Sequence, residues 1–255
     1  MTSLRTLGAG ALVALALCSC HRREPSRLQA FPRRVLWAWE EPQDLRFLKG
    51  RNVGVAFYTK HVLLRGDRVL MRPRIAPLRV DEGTPLMAVV RVDGDVHETP
   101  RLDAQQREGL LRELEEAFAL PRVVALQIDF DARVSERAFY RDLLRDLRSR
   151  HPQLPVSITA LTSWCIDDPW IRDLPVDEAV PMLFRMGGGA VKVRERVRQG
   201  RDFRAELATG ALGLSTDEPR DMVPSRWLRD RRIYVFQGRS WTDENVASLL
   251  QELDR

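Results

Sequence analysis

Two aspartates at i and i+2, Asp129 and Asp131, end the apolar run 123–131 (VVALQIDFD). In an extended strand alternate side chains share a face, so Gln127, Asp129 and Asp131 point one way and Leu126, Ile128 and Phe130 the other. Carboxylates about 7 Å apart at the backbone disfavour each other's ionisation, which raises a pKa and suits acid/base work. The same pair also suits a plain ion-pair network, since Arg91 ends another apolar run and Arg185 follows a third. Glu40 closes the first apolar run and adds a third carboxyl; cleavage of a glycosidic bond uses two carboxyl groups roughly 5 to 9.5 Å apart. Thr159, Gln237 and Tyr58 are polar groups near the ends of other runs. Trp39, Trp164 and Trp241 offer indole faces for a sugar ring and an N–H for a hydroxyl, although packing explains any one of them equally well. The candidates are thus Asp129, Asp131 and Glu40 for acid/base chemistry, with Arg91, Thr159, Trp164, Arg185, Gln237 and Trp241 as substrate contacts.

Other chemistries find no support. Gly187-Gly188-Gly189 is not followed by Lys-Ser/Thr, so it is no phosphate loop. His21, His61, His97 and His151 are scattered without metal-ligand spacing, no GxSxG occurs, and neither cofactor nor metal is expected. Cys165 has no basic neighbour to activate it and reads as a small buried hydrophobe. The net charge of +5 resides outside the main body of the chain. Arg5 carries one unit, and residues 21–34 carry four more through Arg22, Arg23, Arg27, Arg33 and Arg34 against Glu24. The rest is neutral, which argues against a nucleic-acid partner.

These candidates must be positioned by alternating elements. Eight runs read as buried strands: 35–40, 52–59, 86–93, 123–131, 155–161, 178–184, 211–215 and 232–237. Between them, Asp103 is placed to cap a helix over 104–118, Ser135 one over 136–150 and Thr242 the last, with further helices at 191–198 and 42–48. Residues 62–72 read instead as a hairpin turning at Gly66-Asp67. Strand and helix in alternation imply an α/β fold, an irregular (β/α)8 TIM-like barrel with the second helix replaced by a hairpin; an open doubly wound sheet is the alternative. In such a barrel chemistry sits at the carboxyl ends of the strands, where the candidates lie.

Ahead of this domain, 35–255, stand a leader and a spacer. Arg5 precedes an apolar run over 7–17, shorter than the roughly 20 residues a membrane-spanning helix needs, so 1–20 reads as a signal peptide. Leu17-Cys18-Ser19-Cys20 resembles the bacterial lipobox, which makes Cys20 the expected site of lipidation and Cys18 the alternative. Residues 21–34, with Pro25 and Pro32, read as a basic tether. The resemblance implies a cell-envelope lipoprotein on the periplasmic side of a membrane. His21 stands where inner-membrane retention uses aspartate, so the outer membrane is expected.

QIDFDAR at 127–133 resembles the DxxDxDxE signature on the fourth strand of family-eighteen glycoside hydrolases, the chitinase-like barrels, and Met182-Leu183-Phe184-Arg185 resembles that family's Met-x-Tyr-Asp. Asp129 and Asp131 match the last two aspartates, while Arg133 falls on the proton-donating glutamate and cannot replace it. Phe184 lacks the tyrosine hydroxyl and Arg185 reverses the aspartate charge. Over 35–187, the strings WAWE, QIDFDA, RAFYRDLLRDLR, SITALTSWC and PMLFRMG resemble an uncharacterised bacterial family known only as a domain of unknown function. The first resemblance implies a monomeric barrel that acts on a glycan through strand-end carboxylates. The substituted acid position implies instead a non-catalytic glycan-binding or assembly protein on the same barrel.

Overall fold

The computed structural model describes residues 26–254. The signal peptide, Cys18 and Cys20 lie outside the described residues. The chain order is β1 (Arg34–Ala38), β2 (Gln43–Leu45), β3 (Val53–Arg65), β4 (Arg68–Pro73), β5 (Leu78–Val80), β6 (Leu86–Gly94), α1 (Ala104–Phe118), β7 (Val123–Phe130), α2 (Arg137–Arg150), β8 (Val156–Ala160), α3 (Thr162–Ile166), β9 (Glu178–Pro181), α4 (Ala190–Arg198), β10 (Ala211–Ser215), α5 (Ser225–Asp230), β11 (Arg232–Phe236) and α6 (Asp243–Leu253).

Eight of the strands run parallel in the order β10-β11-β1-β3-β6-β7-β8-β9. The ring is nearly closed where Met182 bridges Gly213 and the Leu183 N–H donates to the Gly213 carbonyl at 2.9 Å. This is the irregular TIM-like barrel, and its eight strands are the eight apolar runs of the sequence. β3 continues into a hairpin with β4 through Gly66-Asp67, and no α-helix separates β3 from β6. Gly66 takes φ +53°, which a glycine reaches without strain.

Local chemistry explains where the helices begin. The Asp103 carboxylate accepts from the Gln106 N–H at 2.9 Å, and Thr242 Oγ1 accepts from the Asn245 N–H at 3.3 Å, as their sequences predict. Ser135 does not cap α2. A single 3-10 turn over Val134–Glu136 precedes the helix, and the Glu136 carboxylate accepts from the Arg133 N–H at 2.7 Å instead. The helix expected over 42–48 is in fact β2, paired with β5, followed by a 3-10 turn.

The two faces of β7 sort into two cores. Leu126, Ile128 and Phe130 face outward among Leu114, Phe139, Leu143 and Leu147 of α1 and α2. Inside the barrel, Ala125 packs with Trp37, Ala56, Met87, Val89, Val180, Tyr234 and Phe236. A polar chain crosses this interior. Trp37 Nε1 donates to Gln127 Oε1 at 2.8 Å, Gln127 Nε2 to Ser157 Oγ at 3.1 Å, and both Ser157 Oγ (3.1 Å) and the Tyr234 hydroxyl (2.5 Å) donate to Glu178, which is ion-paired to Arg232.

The basic spacer expected over 21–34 is corrected from Ser26 onward. Leu28 and Phe31 are buried in the inner core, closing the barrel at the amino ends of its strands. Arg232 donates to the carbonyls of Leu28 (2.6 Å), Pro32 (3.1 Å) and Phe31 (3.3 Å), while Arg27 pairs with Asp177 at 3.2 Å. A Cβ on Gly54 would lie 2.8 Å from the Phe31 ring, so only glycine leaves room for this plug.

Candidate functional site

At the opposite pole the strands open into a cleft of about 390 Å3. Its apolar wall begins on β1, where the Trp37 and Trp39 rings stack with centroids 5.1 Å apart. Phe236, at the end of β11, lies edge-on to Trp37 at 3.9 Å and tilts against Phe184 at 4.7 Å. Around these aromatic surfaces stand Glu41, Arg91, Asp129, Asp131, Arg185, Asp217 and Gln237.

The alternation of β7 turns Asp129 inward, and burial then dictates its surroundings. Thr159 Oγ1, on β8, donates to Asp129 Oδ1 at 2.7 Å, and Arg91 Nη1 lies 3.1 Å from Asp129 Oδ2. The same Nη1 donates to Asp131 Oδ2 at 3.1 Å, which keeps these two carboxylate oxygens within about 6 Å of each other. Arg91 also grips Asp93 through Nε (3.1 Å) and Nη2 (2.7 Å), and His61 Nε2 lies 2.8 Å from Asp93. One guanidinium thus serves three carboxylates. Burial pushes the Asp129 carboxyl above its usual range, and Asp131 adds to that push; Arg91 and Thr159 offset part of it. The attraction of Asp129, Asp93 and Asp131 raises Arg91 despite its own desolvation, so the guanidinium stays charged. Asp131 has 44% of its side chain exposed and faces the open cleft.

Of the nine residues singled out by sequence, Asp129, Asp131, Arg91, Arg185 and Gln237 line the cleft, and Thr159 supports it from below. Gln237 Nε2 donates to the carbonyls of Ser240 (2.9 Å) and Arg239 (3.3 Å), bracing the loop after β11. Arg185 adopts φ +50°, uncommon for a non-glycine residue, and its N–H donates to Glu218 Oε1 at 2.8 Å.

Glu40, Trp164 and Trp241 do not line the cleft. Glu40 pairs with Arg72 on the hairpin at 2.7 Å, and the neighbouring Glu41 reaches the cleft instead. Trp164, on α3, is buried, edge-on to Trp170 at 5.2 Å. Trp241 is also buried; its Nε1 donates to the Trp37 carbonyl at 3.0 Å and so braces the wall from behind. Tyr58 is covered by Trp39, 4.6 Å between centroids, and burial pushes its hydroxyl to about 12. Arg133, the residue at the acid position of the signature, donates to the Gly94 carbonyl and lies 3.7 Å from Glu136, outside the cleft. Sequence reasoning missed Asp217, two residues beyond β10, although Ser215-Thr216-Asp217 is a polar strand end of the kind it sought.

Comparison with known proteins adds a partial match to a family model and a likeness of fold. Residues 82–180 match the model of a domain of unknown function (DUF3142). That span runs from β6 into β9 and contains Arg91, Asp93, Asp129, Asp131 and Thr159. No curated protein matches the chain. The ChiA C-terminal domain of Legionella pneumophila is similar in structure, with a TM-score of 0.52 and 10% identity over 87% of this chain and 97% of that one. The catalytic domain of a hyperthermophilic chitinase from Pyrococcus furiosus superposes with a TM-score of 0.46 and 14% identity, over 81% of this chain and 84% of that one. The Legionella likeness is one of fold.

Proposed function

We propose that this protein is a cell-envelope lipoprotein that binds a glycan in the cleft at the carboxyl ends of the barrel strands. The observation that carries the reading is the joining of a stacked aromatic wall, Trp37 and Trp39, to a hydrogen-bonding rim of Asp131, Arg185, Asp217 and Gln237 in one open cavity. Sugar rings present apolar C–H faces and a polar circumference. Indole faces accept the first, and carboxylates and guanidinium groups pair with the second. The cavity volume falls in the range of small-ligand sites. Titration calorimetry of the purified full-length protein against a panel of envelope and environmental polysaccharides tests this. Trp39→Ala should abolish the heat of binding, and retention of full affinity in that variant would remove the aromatic wall from the account.

Cleavage is a second reading, favoured by the closeness of the carboxylate oxygens of Asp129 and Asp131. It approaches the separation of about 5 to 5.5 Å used by retaining enzymes. A carboxyl whose pKa burial raises gives its proton to the glycosidic oxygen as the bond to the anomeric carbon breaks. The second carboxylate bonds to that carbon as the leaving oxygen departs, and water then displaces it, giving its proton back to the first carboxyl. Release of new reducing ends, lost in Asp131→Asn, would support cleavage; glycan binding with no such release fits the binding reading alone.

The lipoprotein assignment rests on the lipobox-like LCSC at 17–20, with Cys20 as the anchor and the outer membrane as its destination. The plug supports it, because the chain enters the barrel at the pole opposite the cleft, so that an anchor at Cys20 leaves the cleft facing away from the lipid. Radiolabelled palmitate should enter the protein and be absent from Cys20→Ala; equal labelling of both would reject Cys20.

A further inference from the structure

We infer that the cleft prefers a glycan carrying free amino groups, a cationic amino sugar, over its neutral and acidic counterparts; the inference rests on the glycan reading above. Four carboxylates line the cavity, Glu41, Asp129, Asp131 and Asp217, against two arginines. One of these arginines, Arg91, is already committed. Its bidentate contact with Asp93 and its shared Nη1 between Asp129 and Asp131 leave it surrounded by more negative charge than it carries. Glu41 and Asp217 have no ion-pair partner among the described residues; Arg74, outside the lining, donates to the Glu41 carbonyl at 2.6 Å and attracts its carboxylate, and within the lining Arg185 is the cation left to balance them. Even with Asp129 protonated, the lining remains net negative.

The placement of these charges matters as much as their number. Glu41 follows β1, Asp131 follows β7 and Asp217 follows β10, the first, fourth and seventh strands of an eight-membered ring. Negative charge therefore meets a bound ring from three sides of the mouth. Between those sides lie the faces of Trp39, Trp37 and Phe184. An ammonium gains from both features, through charge-assisted hydrogen bonds to carboxylates and through attraction to aromatic faces. A neutral acetamide gains neither to the same extent, and a uronate is repelled.

The test is titration calorimetry of the full-length protein with glucosamine oligomers, the same oligomers N-acetylated, and galacturonate oligomers. It is run at low salt and about pH 6, where such an amine keeps its proton. Glucosamine oligomers should bind at least about tenfold more tightly than the acetylated form. High salt should shrink that advantage, and Asp217→Asn should lower affinity for the glucosamine oligomers by a larger factor than for the acetylated form. Equal or tighter binding of the acetylated or uronate oligomers overturns the inference and leaves the glycan reading standing. No heat from the glucosamine oligomers overturns the inference, and no heat from these or from the polysaccharide panel above overturns both.

Discussion

The two poles of this barrel are built on opposite principles. At the amino-terminal pole Leu28 and Phe31 fill the opening, and the buried charge of Arg232 is met by Glu178 and three backbone carbonyls. At the carboxyl-terminal pole three carboxylates share Arg91, Arg185 is held at positive φ, and Asp217 stands exposed without an ion-pair partner among the described residues. Satisfied polar groups and packed rings make one end a source of stability. Unbalanced charge and a strained residue beside a cavity mark the other as the end where binding energy is available. The difference teaches that stability and function can be separated by mutation in this fold, because the residues serving each lie at opposite ends of the same strands.

The largest expected effect is at the closed pole. Arg232→Ala leaves Glu178 buried without its counter-charge and releases the carbonyls of the plug; urea unfolding should show a loss of about 3 to 5 kcal/mol. Glycan affinity, measured on the fraction that folds, should not change. A loss of affinity without a loss of stability would reverse the assignment of the two poles.

The intermediate effect is at Asp129, and its sign follows from linkage. Burial raises its folded carboxyl above the unfolded value, so the folded state holds more protons than the unfolded state between those two pKa values. Asp129 therefore costs least below the unfolded pKa of an aspartate and costs progressively more as pH rises from there through the folded pKa. Asp129→Asn should be more stable than the parent at neutral pH, with the gap closing as pH falls through the raised pKa toward the ordinary aspartate value. Parallel stability curves for the two proteins from acid to neutral pH would show that Arg91 and Thr159 cancel the effect of burial.

The smallest effect is at Arg185. Glycine takes φ +50° without strain, so Arg185→Gly should raise stability by about 1 kcal/mol in thermal unfolding while weakening any ligand the guanidinium touches. A destabilised variant would mean that the Arg185 side chain, rather than its backbone, holds the loop.

The nearly closed barrel was the legible part of the sequence. Eight short apolar runs separated by turn and helix signals need no long-range information to be found, and the period of two in 123–131 sends Asp129 inward and Phe130 outward. Reasoning by period fails where the strand stops. β1 ends at Ala38, so Glu40, chosen because it closes the apolar run, lies beyond the strand end, and Arg72, 32 positions further on, captures it. Likewise β8 ends at Ala160 and the turn into α3 carries Trp164 down into the core. Leu28 and Phe31 left no pattern at all. Two isolated apolar residues among arginines resemble a spacer until the barrel that buries them exists.

The indole N–H resonances test the central claim most directly. On addition of a glycan that binds, the account predicts shifts of the Trp37 and Trp39 signals in a nitrogen-proton correlation spectrum, with Trp164, Trp170 and Trp227, remote from the cleft, unmoved. Binding that leaves Trp37 and Trp39 in place, or that moves Trp164 instead, would contradict it.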